Sequence, residues 1–346
     1  MNNTNKVFKI SIGLIVIGLI LSIVGYLMGG KTQLGLTKSG IKVLSDEQVT
    51  INKELNPFTQ IEINLDYYNQ IEIITADTFK IEATYNVGVN EFTYEVKDQV
   101  LKINQNPSST FSILNLDFST ALSHLKVYVP NNTELHSIQI QTQNSKVELS
   151  DLNIDDLLIK NDYGKNTLTN IEANQINLIS SSATVELENI QTIHLELEND
   201  YGQNNFKDIK ATTLKLKGNS SNMEMRQLNA HKLEINNDYG DVKIKNMKVE
   251  NLIASLQSGD LSIENGEVDC TTIDNKYGSI ELNYKGNLSD YSYEILNKYG
   301  TTTLKHNQDG HVSKISNDGN LIYSIESDKN INISGESSSI KVSIFQ

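Results

Sequence analysis

Cysteine occurs once in 346 residues, which excludes an internal disulfide framework and any zinc or iron–sulfur site built from several thiolates. Tryptophan is absent and aromatic residues make up 7% of the chain. Proline appears three times, so no proline-rich linker divides the sequence. Arginine occurs only at Arg226, which removes the planar donor fork that recognises phosphate or carboxylate ligands. The hydrophobic fraction, 38%, is low for a globular domain. Yet Ile, Leu and Val recur at regular spacing throughout, so the chain does not read as disordered.

Positive charge is scarce too, and the formal net charge is −14. The first 30 residues hold Lys6 and Lys9 and no acid, leaving 27 basic against 43 acidic residues beyond them, a net of −16. Such a chain does not suit nucleic acid, whose phosphates need clustered positive charge.

What is present begins with Ile10 to Gly30, a run without a single charge. Roughly 20 apolar residues in a helix cover a hydrocarbon core. The run is longer than a signal-peptide core and ends in Met-Gly-Gly-Lys without a small-residue cleavage site. The expectation is an uncleaved single-pass anchor over 10–30, with a cytoplasmic tail over 1–9 and the C-terminal domain outside the cell. Lysines stand on both flanks, so charge alone does not set the orientation. Residues 31–48 are polar and read as a linker.

An internal repeat dominates the rest. Asn161-Asp162-Tyr163-Gly164 returns at Asn199–Gly202 and Asn237–Gly240, and with Lys276 for Asp at Asn275–Gly278, 38 residues apart each time. Another copy, Asn297-Lys298-Tyr299-Gly300, follows after only 22. The unit is half of 38. Steps of 19 give small residues at Ser145, Gly164, Ala183, Gly202, Ser221, Gly240, Gly259 and Gly278; after a three-residue insertion near Asn283–Leu288 the series resumes at Gly300, Gly319 and Ser338.

Apolar residues stand four after each marker and mostly two after it, as in Val185/Leu187 and Val242/Ile244, with Asn166, Asn204 and Thr302 the exceptions; a second pair stands seven and five before most markers, as in Leu195/Leu197. A looser apolar position lies seven after the marker. Positions two apart share one side of a strand. One such unit cannot enclose its apolar residues, whereas stacked units cover one another. The expected fold is therefore all-β: a single-stranded β-solenoid (β-helix) of about eleven 19-residue coils over 141–346. Residues 49–140 carry alternating pairs such as Ile61/Ile63, Ile71/Ile73 and Val127/Val129 with less regularity, and read as an irregular β-rich cap. Gln105–Thr120 breaks the pattern and reads as a loop or projecting hairpin.

In the Asn-x-Tyr-Gly corner, Gly allows a positive-φ bend and Tyr over Ser over Tyr fills a stacked corner. Asp162, Asp200 and Asp238 align as a candidate Ca²⁺ or carbohydrate strip. Lys276 and Lys298 interrupt that series, and the Gly-Gly-x-Gly-x-Asp calcium pattern is absent, so no metal site is assigned.

The anchor, Phe58-x-x-Ile61-Glu62-Ile63, the strand Val127-Tyr128-Val129-Pro130 and the repeated Asn/Ser-x-Tyr/Ser-Gly coils resemble a bacterial "putative adhesin" family of unknown function, with LiaG-like and YvlB-like envelope proteins among its members. The resemblance covers about residues 55–346. It implies a surface-exposed, membrane-anchored β-repeat protein associated with envelope stress, and it supplies no catalytic residues.

Catalytic groups do not converge in the sequence either. His124, His136, His194, His231, His306 and His311 form no tight metal spacing. Cys270 has no adjacent His and reads as an inert small residue. Glu148, Glu186, Glu224 and Glu281, three after their markers, form an outward column that suits a solvated face more than a glycosidase pair. No catalytic, cofactor-binding or metal residue is assigned and no cofactor is expected. The expected function is a non-enzymatic cell-surface adhesin or envelope interaction module. Its partners would be the bilayer through residues 10–30 and a cell-wall polymer, a host surface or envelope-stress membrane proteins. An envelope-stress sensor or scaffold and, more weakly, a carbohydrate-active enzyme are the alternatives.

Overall fold

The computed structural model describes every residue except 1, 29–32, 38–39, 44–47, 67–68, 87–89, 108–110, 116–122, 307–311, 317–319 and 346. The chain forms two compact units, and the smaller comprises Met1–Thr50, Thr84–Thr93 and Gln105–Leu122. Its helix, Asn2–Leu27, follows the apolar run. Side chains 10–25 are all exposed. Among the described residues no helix is long and apolar enough to cross a membrane.

The expected linker 31–48 is not featureless. Gln33–Thr37 pairs antiparallel with Gly40–Val43 on one side and with Phe111–Asn115 on the other. The reason is visible in the sequence: Leu34/Leu36 and Ile41/Val43 alternate with period two. The stretch expected as a loop or hairpin at 105–120 supplies the third strand.

The larger unit comprises Ile51–Ala83, Tyr94–Asn104 and Ser123–Gln346. Its core is a stack of long bent strands: Lys146–Asn161, Lys165–Ser180, Thr184–Asn199, Gln203–Gly218, Asn222–Asn237, Val242–Leu256 and Leu261–Lys285. Each pairs in parallel with the next at an offset of 19, as in Leu149↔Leu168↔Leu187↔Phe206↔Met225↔Ile244↔Ile263. Along these strands the paired positions expected to face inward are buried, whereas Tyr323, expected inward near the C-terminal end, is exposed. The looser position seven after the marker is buried as well, in Leu152, Ile171, Ile190, Ile209, Leu228 and Met247. A second residue accompanies it on that side of the coil: Ile154, Ala173, Thr192, Ala230, Val249 and Val268 are also buried. Each coil thus has three inward-facing stretches.

The bend between the first two stretches is left-handed. Asp151, Asn170, Asn189, Asp208, Gln227, Asn246 and Asn265 recur every 19 residues with φ between 55° and 59°. Short polar side chains tolerate this conformation because they hydrogen-bond locally. Here they also bond to one another: Asn170 Nδ2 donates to Asp151 Oδ1 at 2.7 Å and Asn189 Nδ2 to Asn170 Oδ1 at 2.8 Å.

Sequential stacking stops at both ends, which corrects the expected order of coils. The final strand, Lys329–Phe345, pairs in parallel with Leu261–Lys285, setting Ile280 against Ile340 and Gly278 against Ser338. Its other edge pairs in parallel with Tyr291–Asn297 and Thr301–His306. The last coil in the chain is therefore second from last in space. Beyond it the chain reverses: Val312–Ser316 and Leu321–Tyr323 pair antiparallel with those strands and close the edge. Gly319, one of the expected markers, lies outside the described residues, and the described strands before and after it pair antiparallel.

The N-terminal end is built similarly. Gln60–Asn64 lies between Val100–Pro107 and Glu134–Thr142, in parallel with both. Gln70–Ala76 lies between His124–Pro130 and Lys146–Asn161. An earlier segment is thus inserted between two later ones.

Candidate functional site

Asn-x-Tyr-Gly builds the most regular corner of the solenoid, and each of its residues has a separate task. The Asn is fully buried in all five copies. Asn199 Nδ2 donates to the Ala183 carbonyl and to Asn204 Oδ1, both at 2.8 Å, while Asn199 Oδ1 accepts from the Ala183 N–H at 3.2 Å. Asn161 does the same to Ser145, and Asn237 to Ser221. One side-chain amide thus replaces a missing backbone rung between coils.

The Gly answers a steric demand more than a conformational one. Of these corner glycines only Gly240 and Gly278 have φ in the left-handed region. A Cβ at Gly164 would strike the Ser145 carbonyl, and one at Gly202 would strike the Ala183 carbonyl and the Asn199 amide. The positive-φ reading therefore applies to two copies, and close approach explains the rest.

The Tyr does not fill the corner. Tyr163, Tyr201, Tyr239, Tyr277 and Tyr299 are 49–69% exposed. Their backbones are held identically, each N–H donating to a carbonyl of the neighbouring coil at 2.7–2.9 Å. Ser182, Ser220 and Ser258 occupy the corner on intervening coils, and Ser337 does so between Tyr277 and Tyr299. The copy that follows after only 22 residues thus stands two coils away in space, because the final strand fills the gap. Tyr and Ser alternate along the whole row. The aspartates beside them are also two coils apart, each alone on its rung.

The densest polar cluster lies at the N-terminal end, across Gln70–Ala76, His124–Pro130 and the start of Lys146–Asn161. Glu72 is paired with Lys126 at 2.8 Å and His124 at 2.9 Å, and accepts from Gln70 at 2.7 Å. Burial pushes its carboxyl up, but the hydrogen bonds from Lys126 and His124 outweigh that and hold it below the ordinary range. Tyr128 donates to Glu82 at 2.8 Å, and burial followed by that bond pushes the phenol up to about 12. Lys80 completes the group, 2.6 Å from Glu82.

The expected outward glutamates are similarly engaged. Glu148 pairs with Lys146 at 2.8 Å, Glu186 with Lys165 at 2.7 Å, Glu224 with Arg226 and Glu281 with Lys341. His136 and His231 pair with Asp155 and Glu250 on adjacent coils, and His194 is exposed on its strand. His306 and His311 are not among the described side chains. Cys270 is half-buried, its sulfur accepting from Asn330 Nδ2 at 3.2 Å. No group of three potential metal ligands occurs among the described residues. Concave features are grooves on the outer faces; one of about 310 Å³ is lined by Glu186, Glu188, Phe206, Lys207, Glu224 and Arg226. Among the described residues this arrangement positions side chains for contact and brings no nucleophile, base and third group together.

Two overlapping stretches, residues 58–200 and 176–343, match the model of the Toastrack DUF4097 family. The chain belongs to that family. The Toastrack repeat thus accounts for both the solenoid and its β-rich N-terminal part. Comparison with curated proteins finds no match. Among solved structures, a "putative adhesin" from Bacteroides fragilis NCTC 9343 is 16% identical, with 68% of this chain and 97% of that one covered and a TM-score of 0.42. A "putative lipid binding protein" from Parabacteroides distasonis ATCC 8503 is also 16% identical, covering 86% of this chain and 98% of that one with a TM-score of 0.41. A "putative adhesin" from the same organism is 15% identical, covering 86% and 97% with a TM-score of 0.35.

Proposed function

We propose that this Toastrack protein is a non-enzymatic, membrane-anchored cell-surface module. Residues 10–30 span the cytoplasmic membrane, 1–9 remain inside, and the solenoid contacts an envelope polymer or another surface. The observation that carries this reading is the outer wall of the solenoid. Its column of Glu148, Glu186, Glu224 and Glu281 is paired with neighbouring cations, so it offers a stable polar surface and no poised acid or base. The uncharged run, continuing in sequence through Leu27, Met28, Gly29 and Gly30, supports the anchor.

Fractionation of cells making the full chain tests the placement. The protein is expected in the membrane fraction, with the solenoid digested by protease added to intact wall-stripped cells. A soluble protein, or one protected until the membrane is broken, overturns it. Release of reducing sugar from envelope glycans by the purified full chain would overturn the non-enzymatic part.

A further inference from the structure

The fold explains the Asn and the Gly of the repeated corner but not the Tyr. Asn bridges coils, and Gly makes room for it. The tyrosine rings are about half to two-thirds exposed; the Lys298 ammonium lies over the Tyr299 ring, 5.1 Å from its centroid, and among the described residues no side chain takes the tyrosine hydroxyls. They nevertheless keep a strict two-coil phase, even where the chain order of coils is rearranged to achieve it. At about 4.8 Å per coil the rings recur every ~9.6 Å.

We infer that the tyrosine row, Tyr163, Tyr201, Tyr239, Tyr277 and Tyr299, is a binding strip for an uncharged, extended β-1,4-linked glycan. This rests on the surface reading above and names the ligand class. The disaccharide repeat of such a glycan is close to the spacing of the rings, so successive tyrosines meet the same face of every second sugar. A pyranose ring presents C–H bonds whose slight positive charge suits the negative face of an aromatic ring. Small hydroxyl side chains at Ser182, Ser220, Ser258 and Ser337 leave the rings separate and offer hydrogen bonds to sugar hydroxyls. Hydrogen-bonded rungs hold the backbone on either side of each Tyr, so little order is lost on binding. Charge selects among polymers: a chain of net charge −14 repels polyanions and leaves neutral glycans as the matching partner. Because each ring contributes a weak contact, binding strengthens with glycan length.

The test is co-sedimentation of the full chain, in detergent micelles, with insoluble chitin and with amylose, whose α-linked chain coils. Retention on chitin and not on amylose is expected. The Tyr201→Ala/Tyr239→Ala pair should lower retention at least tenfold with an unchanged melting temperature, because both rings are exposed. The corresponding Phe pair should retain it. Ser220→Tyr adds a ring but destroys the spacing, and should weaken retention. Equal retention on chitin and amylose, an Ala pair that binds like the parent, or a Ser220→Tyr variant that binds more tightly overturns the proposal. Self-association that the Ala pair abolishes, without chitin binding, also overturns it in favour of a second copy as occupant. The surface reading fails independently, through the fractionation result, whatever chitin shows.

Discussion

In the middle of the solenoid every column continues from coil to coil at an offset of 19, and chain order equals spatial order. At the two ends register survives but order does not. Ser338 keeps the marker position against Gly278, although Gly300 precedes it in the chain. A sequence period reports which residues share a column, because every coil must present the same inward positions whichever neighbour it meets. It does not report who the neighbour is. At an end, an exposed parallel edge invites pairing with other chains, and inserting a late strand while reversing the outermost ones closes that edge.

The largest effect expected from this contrast comes from removing whole coils. Deleting residues 203–240, two coils from the middle, should leave a chain that in detergent micelles still unfolds cooperatively, since the new neighbours present the same columns. Ending the chain at Asp328 should abolish the cooperative transition, because Ile280 and Leu282 on one side and Ile295 and Leu304 on the other lose their cover together. Circular dichroism melts and gel filtration compare the two; a truncated chain that melts like the parent would refute the intercalated end.

Next come single residues of the corner. Gly202→Ala is expected to cost about 2–3 kcal/mol through overpacking against the Asn199 amide. Ala183 occupies the equivalent place one coil earlier, where Ser180 stands in place of the buried Asn; Gly259, which follows Leu256, would still meet the Gly240 carbonyl, so the demand comes from the neighbouring carbonyl as well as from the Asn. Asn199→Ala leaves the Ala183 N–H without its partner and the Ala183 carbonyl with only the Gln203 N–H, and should cost about 1–3 kcal/mol. Asn275, where the final strand joins, is fully buried, yet neither side-chain amide atom has a partner. Asn275→Leu should therefore be neutral or stabilising, as Leu256 already is at that place one coil earlier. Urea denaturation of the two Asn variants gives opposite signs if the middle and the end differ as described.

The smallest effect is electrostatic. Glu72 titrates below its ordinary value, so its contribution is complete above about pH 4.5 and is lost as pH falls through the lowered folded value. Glu72→Gln should flatten the decline in melting temperature below about pH 4.5 and change little at pH 7 beyond the loss of the pair itself.

Much of the middle was legible in the sequence because apolar alternation repeats so regularly, as in Val185/Leu187 and Leu195/Leu197. Three features were not. The residues joining Leu152, Ile171 and their column partners on the third side are often Ala or Thr, too small and mixed to stand out by hydrophobicity. The left-handed column from Asp151 to Asn265 carried a clear polar signal every 19 residues, but corner chemistry drew attention to Gly first. The anomalous 22-residue step to Tyr299 was the one sign of the rearranged end; it reads as an irregular repeat until the final strand is placed beside Tyr277. The candidate strip was half visible: the tyrosines were evident, but their exposure, which separates a packed corner from a presented one, depends on the direction of a bend.

The inserted final strand also orders events in time. A ribosome makes the segment 291–323 before the strand that joins it to the stack exists. At roughly 5–20 residues per second, several seconds pass before Lys329–Phe345 is complete. Until then the central coils end in an open parallel edge, and the outer strands have nothing to dock on. The solenoid can grow coil by coil from its middle, but this edge is covered only once Lys329–Phe345 has been made, so a chain released before that point would carry an open parallel edge.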